Sequence, residues 1–366
     1  MNTLKFSANK RSDFSRTLRK RVNAYFKTHN ISKHANKSMV SKTAIMLLAF
    51  FAPLVLINTG IIHHAFLLFV LYVISGLGMA GIGMGVMHDA IHGSYSKHRK
   101  VNKCLGYTMN LIGANATVWK IQHNVLHHTY TNIQQADDDI NVPFFLRFSP
   151  HARKHWLHRF QHVYVWFFYG ISTLMWITAK DFVRLTRYKN MGLLNREQKY
   201  KKELFKLIGW KLLYYSYALV LPLIMVPLSP WIVILAFLCM HVVTGLWISS
   251  IFQVAHIMPA NEYPLADKDG VIENDWFLHQ LETTSNFSPR SRFFSWLIGG
   301  LNYQVEHHLL PNICHVHYRK ISHIVAKTAH EYGLPYHIKK TFVSAIADHV
   351  RMLRRLGKIE MTMVSS

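Results

Sequence analysis

Acidic residues are scarce in this chain: Asp and Glu number 18 against 42 Lys and Arg, giving a formal net charge of +24 over 366 residues. Charge of either sign is low, at 16% of residues against about 25% in soluble domains. There are 3 cysteines, Cys104, Cys239 and Cys314, without CxxC spacing, which excludes a disulfide framework as the basis of the fold. The basic residues also leave gaps. No Lys or Arg occurs between Lys42 and Lys97, or from Leu212 to Asp267.

Apolar residues fill those gaps. Half the chain is hydrophobic and its mean hydropathy is positive, at +0.09. "TAIMLLAFFAPLVLINTG" (43–60) and "AFLLFVLYVISGLGMAGIGMGV" (65–86) each approach the ~20 residues that cross a bilayer as a helix. The second gap divides at "PLSP" (227–230) into "LLYYSYALVLPLIMV" and "WIVILAFLCMHVVTGLWISSIF". The pattern predicts an all-α integral membrane protein with four transmembrane helices in two hairpins. The short connections, His63–His64 and Ser229–Pro230, carry no basic residue. The positive-inside rule therefore places both termini and the long middle segment in the cytoplasm. There the positive charge lies against anionic headgroups. No nucleic-acid recognition motif accompanies it, so nucleic acid is not an expected partner.

Three segments follow: a basic cytoplasmic or interfacial segment (1–41), a membrane domain (42–330) and a basic cytoplasmic tail (331–366). The N-terminus has no apolar core or cleavage site of a signal peptide. Its stretch "LRKRVNAYF" reads as an amphipathic helix lying on the membrane. "GLGMAG" (76–81) matches GxGxxG by letter only, since it lies inside a span and no strand precedes it. Gly81 and Gly85 make a small-xxx-small pair suited to close helix packing.

Histidine is the unusual abundance. "HDAIH" (88–92), "QHNVLHH" (122–128), "QVAH" ending at His256, and "QVEHH" (304–308) all fall at cytoplasmic ends or in cytoplasmic segments of the expected topology. His88 and His92 share a helix face, His123 and His127 repeat that spacing with His128 adjacent, and Gln304, His307 and His308 fall at i, i+3 and i+4. The eight imidazoles exceed what one ion takes and suit two metal ions. Imidazole alone does not name the metal, but a zinc hydrolase needs only three protein ligands and an open position. A redox pair of irons accounts for the surplus better. Asp89, Asp137, Asp138, Asp139 and Glu306 are candidates to hold histidine N–H groups. His63, His64 and His241 read as structural. So do His151, His155, His158 and His162, in a stretch expected to lie in the membrane surface. A metal transporter would place such ligands at the bilayer midplane, where only His241 falls.

The order "HDAIHGSYS", "QHNVLHHTYTN", "QVEHHLLP" resembles the three histidine boxes of membrane-bound fatty acid desaturases. The Gln that opens the third box is similar to the front-end group, and the likeness runs from about residue 40 to 330, strengthened by "DWFLHQLETTSNFS" and "GGLNYQVEHHLLPNICHVHY". The resemblance implies a cytoplasmic helical cap carrying a non-haem di-iron site. That site would introduce a cis double bond into an acyl-CoA or acyl-lipid with O₂ as co-substrate. His88, His92, His123, His127, His128, His256, His307 and His308 then match metal ligands. Gln304 stands where related enzymes have His, as a weak or water-mediated ligand. No catalytic residue is implied beyond the metal centre. The chain contains no "HPGG" haem-domain motif, so the resemblance implies a separate ferredoxin or cytochrome b-type donor with its reductase. Membrane lipid is the remaining partner, and a bacterial inner membrane the expected location. A lipid hydroxylase on the same scaffold is the alternative.

Overall fold

The computed structural model describes residues 4–7, 13–194 and 197–360. It is mostly helical, and the described residues fall into two compact units.

The first unit comprises the described residues of Ala35–Ile121 and Trp166–Ser250. Helices Lys37–Asn58, Ala65–His92, Glu197–Met225 and Pro230–His256 are long and apolar enough to cross a membrane, and they coincide with the four expected spans. Asn36 opens the first of them, its side chain accepting from the Met39 amide at 3.0 Å. Small residues let these helices touch. A Cβ on Gly78 would collide with the Phe50 backbone, and one on Gly76 with the Met240 carbonyl. Gly81 faces Met46 in the same way. Ser75 donates to the Phe50 carbonyl at 2.8 Å. Large apolar side chains such as Phe66 (82% exposed) and Ile224 (70%) point outward, an arrangement that water disfavours and lipid accepts. His241 is spent structurally, sharing hydrogen bonds with Tyr214 Oη (2.8 Å) and Thr173 Oγ1 (3.2 Å). Lys211 is buried and donates to Asp181 and to the carbonyls of Gly113 and Trp176.

The second unit comprises the described residues of Met1–His34, Gln122–Val165 and Ile251–Ser366. Helix Asp13–Thr28 does not keep its apolar face for a membrane. Phe14, Leu18, Val22 and Phe26 are buried in a core with Ile321, Val325 and Ala329 of helix Tyr318–Glu331. The C-terminal segment is also built in, through helix Phe342–Leu356, which opens on a reciprocal Thr341–Ser344 cap. The described residues are mostly helical, as expected, with two short parallel ladders besides. Lys5–Phe6 pairs parallel with Val271–Ile272, and Ser285–Phe287 with His337–Lys339. Of these strands only Ser285–Phe287 is buried throughout, and its ladder pairs backbone groups that would otherwise lack partners. Arg147, fully buried, fans out to the carbonyls of Pro150, Ala152, Leu356 and Ile359.

His349 is also buried in this unit, its Nδ1 donating to the Ile257 carbonyl at 3.0 Å. Burial pushes its pKa down to about 4, so the fold accepts only the neutral ring. Its contribution is intact above the unfolded value of about 6.5 and is lost as pH falls from there to about 4, by roughly 3 kcal/mol. Thermal unfolding in detergent should show a drop in Tm between pH 7 and pH 5 that shrinks in His349→Gln. An unchanged pH slope in that variant would refute the assignment.

Candidate metal centre

Six of the expected ligands, His123, His127, His128, His256, His307 and His308, lie buried in the second unit. Their placement begins with local backbone. The segment Ile121–His127 is a π-helix, not an α-helix. Its wider turn aligns residues five apart, so His123 meets His128 with Nε2 atoms 3.2 Å apart. The i, i+4 reading of the sequence pairs His123 with His127 instead; those rings do stack, with centroids 5.2 Å apart. The third box is the short helix Gln304–Leu309, whose Val305 amide is capped by the Asn286 side chain at 2.9 Å.

Two groupings result. In the first, ring nitrogens of His127, His256 and His308 lie within 4.8 Å of one another. Each is oriented through Nδ1: His127 by Asp137 (3.0 and 3.1 Å), His256 by the Thr283 carbonyl (3.3 Å), His308 by Gln280 Oε1 (2.7 Å). Acceptors at all three Nδ1 atoms make them the protonated nitrogens and leave the Nε2 lone pairs for a cation. Nε2 of His127 and of His256 has no hydrogen-bond partner among the described residues.

In the second grouping, Nε2 of His128 lies 2.9 Å from that of His307, and those of His123 and His307 are 3.5 Å apart. His307 Nδ1 meets the Tyr318 hydroxyl at 3.2 Å. His308 belongs here as well, with His128 and His307. Three buried imidazole nitrogens at such separations cannot all be satisfied by protons on one another. A metal ion resolves the conflict, so the donor set fits one.

The carboxylates settle around these rings. Burial opposes protonation of His127, but Asp137 and Asp139 outweigh it and hold its pKa up to about 9, so a cation binding at Nε2 displaces a proton while Nδ1–H stays on Asp137. Asp139 also lies 3.9 Å from His123 Nδ1 and accepts from Gln122. The residue that grips His127 is therefore Asp137, while Asp138 is buried nearby in sequence. Glu306 is taken by Asn286 (2.8 Å) and Tyr336 (2.7 Å), and burial lifts its pKa to about 7. Gln304 is buried on the same helix as His307 and His308, and its Nε2 has no hydrogen-bond partner among the described residues.

His88 and His92 lie in the other unit, where their rings sit 4.8 Å apart and both pack against Trp119. Asp89 Oδ1 is 3.9 Å from His88 Nδ1. Gly93, at φ 75°, ends their helix in the left-handed conformation that glycine tolerates. Reading the sequence for metal ligands misses Gln280, Thr283 and Tyr318. The only signal for them is that they fall inside the stretches 275–288 and 299–318 that carry the family likeness.

Four membrane-length apolar helices together with buried histidine groups that could hold metal mark a membrane protein with a candidate metal centre. The family model "Fatty acid desaturase" matches residues 62–340, and the chain belongs to that family. It is 34% identical to the sn-1 linoleoyl-lipid 6-desaturase of Synechocystis sp., over 94% of this chain and 96% of that one. The enzyme of the same description from Arthrospira platensis is 33% identical, over 97% and 95%. The acyl-lipid (8-3)-desaturase of Physcomitrium patens is 33% identical, over 98% of this chain and 74% of its own. The protein is accordingly a desaturase, an oxidoreductase of fatty acid and lipid metabolism.

Proposed function

We propose that this desaturase places a front-end cis double bond, of the 6-type, in an acyl chain still esterified to a membrane glycerolipid. The likeness to two linoleoyl-lipid 6-desaturases along nearly the whole of each chain carries this reading. The names of these relatives favour acyl-lipid over acyl-CoA. In this reading the four spans form two hairpins in a bacterial inner membrane and the histidines sit in a helical cap on its cytoplasmic side, an orientation that the basic segments support.

Two irons are the metals that fit the reaction. Held by His123, His127, His128, His256, His307 and His308, with His88 and His92 assigned by the box they form, they would supply the O₂-dependent oxidation that unactivated methylenes demand. The chain's own residues do the positioning. Asp137, Gln280 and the Thr283 carbonyl fix ring tautomers, and Tyr318 sets the His307 ring. Gln304 contributes weakly or through water. A separate ferredoxin or cytochrome b-type protein delivers electrons.

The test is expression in cells fed linoleate, followed by mass spectrometry of the glycerolipids. The expected product carries a new double bond on the carboxyl side of the existing ones. A hydroxylated chain would indicate the related hydroxylase outcome and contradict this reading. So would modification of the acyl-CoA pool alone.

A further inference from the structure

Next to the third box, the second unit has a cleft of about 440 Å³. Buried Val22, Leu309 and Leu310 and half-buried Trp276 give it an apolar lining, and exposed Arg19 and Lys33 add positive charge. Leu309 directly follows His308. Trp276 Nε1–H donates to the His128 carbonyl at 3.1 Å, and His128 Nε2 lies 2.9 Å from His307 Nε2. One aromatic side chain of the cleft is thus hydrogen-bonded to the backbone of a site histidine.

We propose that the cleft docks an acidic one-electron carrier protein and that electrons enter through Trp276 towards His128. The proposal rests on the desaturase function proposed above, and its chemistry balances. For each double bond the acyl chain loses two hydrogens, two reduced carriers give one electron each, two protons come from water, and O₂ leaves as two waters. Charge complementarity selects the occupant. A chain of net charge +24 presenting two cations around an apolar patch attracts an acidic surface, while the apolar part excludes water at contact.

The experiment measures binding of a fluorescently labelled acidic [2Fe–2S] ferredoxin to the full-length chain in detergent, at low and physiological salt. Wild type should bind, more weakly as salt rises. Arg19→Glu combined with Lys33→Glu should raise Kd by about tenfold or more at low salt. Trp276→Phe, which keeps an aromatic ring in the cleft but lacks the N–H, should slow reduction of the iron-loaded protein by bound ferredoxin, measured at saturating ferredoxin so that any change in Kd does not enter. Its reduction by methyl viologen, which needs no docking, should stay at the wild-type rate.

Absent binding by wild type, equal binding by the charge-reversed variant, or unaltered ferredoxin reduction in Trp276→Phe would overturn the proposal. Displacement of ferredoxin by short-chain phosphatidylglycerol would overturn it too, making the cleft a headgroup site. If these binding and reduction results hold but no lipid is desaturated, the docking surface stands and the proposed function fails.

Discussion

His308→Ala is expected to lose both bound metals and all measurable desaturation while still inserting into the membrane. His308 is the histidine common to both groupings, with His127 and His256 on one side and His128 and His307 on the other. Its ring is held by Gln280 at 2.7 Å and stacks on His128 with centroids 4.4 Å apart. Removing it takes a donor from each cluster and leaves a polar cavity between the remaining rings. Loss of one ligand to a buried ion leaves a charge without its partners, which is among the most damaging changes a site can suffer. Metal analysis of the purified variant, with membrane fractionation as the control for insertion, checks this. A variant that keeps wild-type metal content and turnover would remove His308 from the ligand set.

Asp137→Asn should lower metal affinity or activity by about 10–100-fold, the range for lost partners of metal-bound histidines. The substitution keeps size and shape. Its cost comes from exchanging a full negative charge on His127 for a neutral amide. Asp137 is fully buried and also accepts from the Asn132 and Asp139 amides at 2.9 and 2.8 Å. An amide can present only one oxygen to the three N–H groups that the carboxylate now serves, so the His127 ring loses both its tautomeric restraint and its electrostatic support. Metal titration of Asp137→Asn beside Asp138→Asn separates the local effect from a general loss of acidity. Equal affinities in the two variants would show that Asp137 does not hold His127 for the metal.

The spans and the histidine boxes were legible in the sequence because each obeys a fixed length. A bilayer sets how many apolar residues a helix needs, and a helical turn sets which histidines share a face. What the sequence did not reveal depends on contacts between distant residues. The π-helix at Ile121–His127 pairs His123 with His128, whereas α-helical spacing points to His127. Gln280 and Tyr318 are chemically ordinary, and only the fold brings them to His308 and His307. The Asn286 and Tyr336 bonds that claim Glu306 join residues 20 and 30 positions away.

The N-terminal helix shows a different limit. Its amphipathic pattern correctly predicted one apolar face, but a pattern does not identify what the face meets. In the structure Phe14, Leu18, Val22 and Phe26 meet protein. The terminal helix Phe342–Leu356, read as part of a basic tail, likewise buries Ala345, Met352, Leu353 and Leu356.

The measurement that bears most directly on the account is the metal content of wild-type protein, purified anaerobically from iron-fed cells and quantified per chain by elemental analysis. Two irons per chain is the expected result, with zinc-filled preparations exchanging to iron on reconstitution. Protein that binds no metal even after reconstitution would contradict the convergence of these histidines on ions, and with it the proposed di-iron centre.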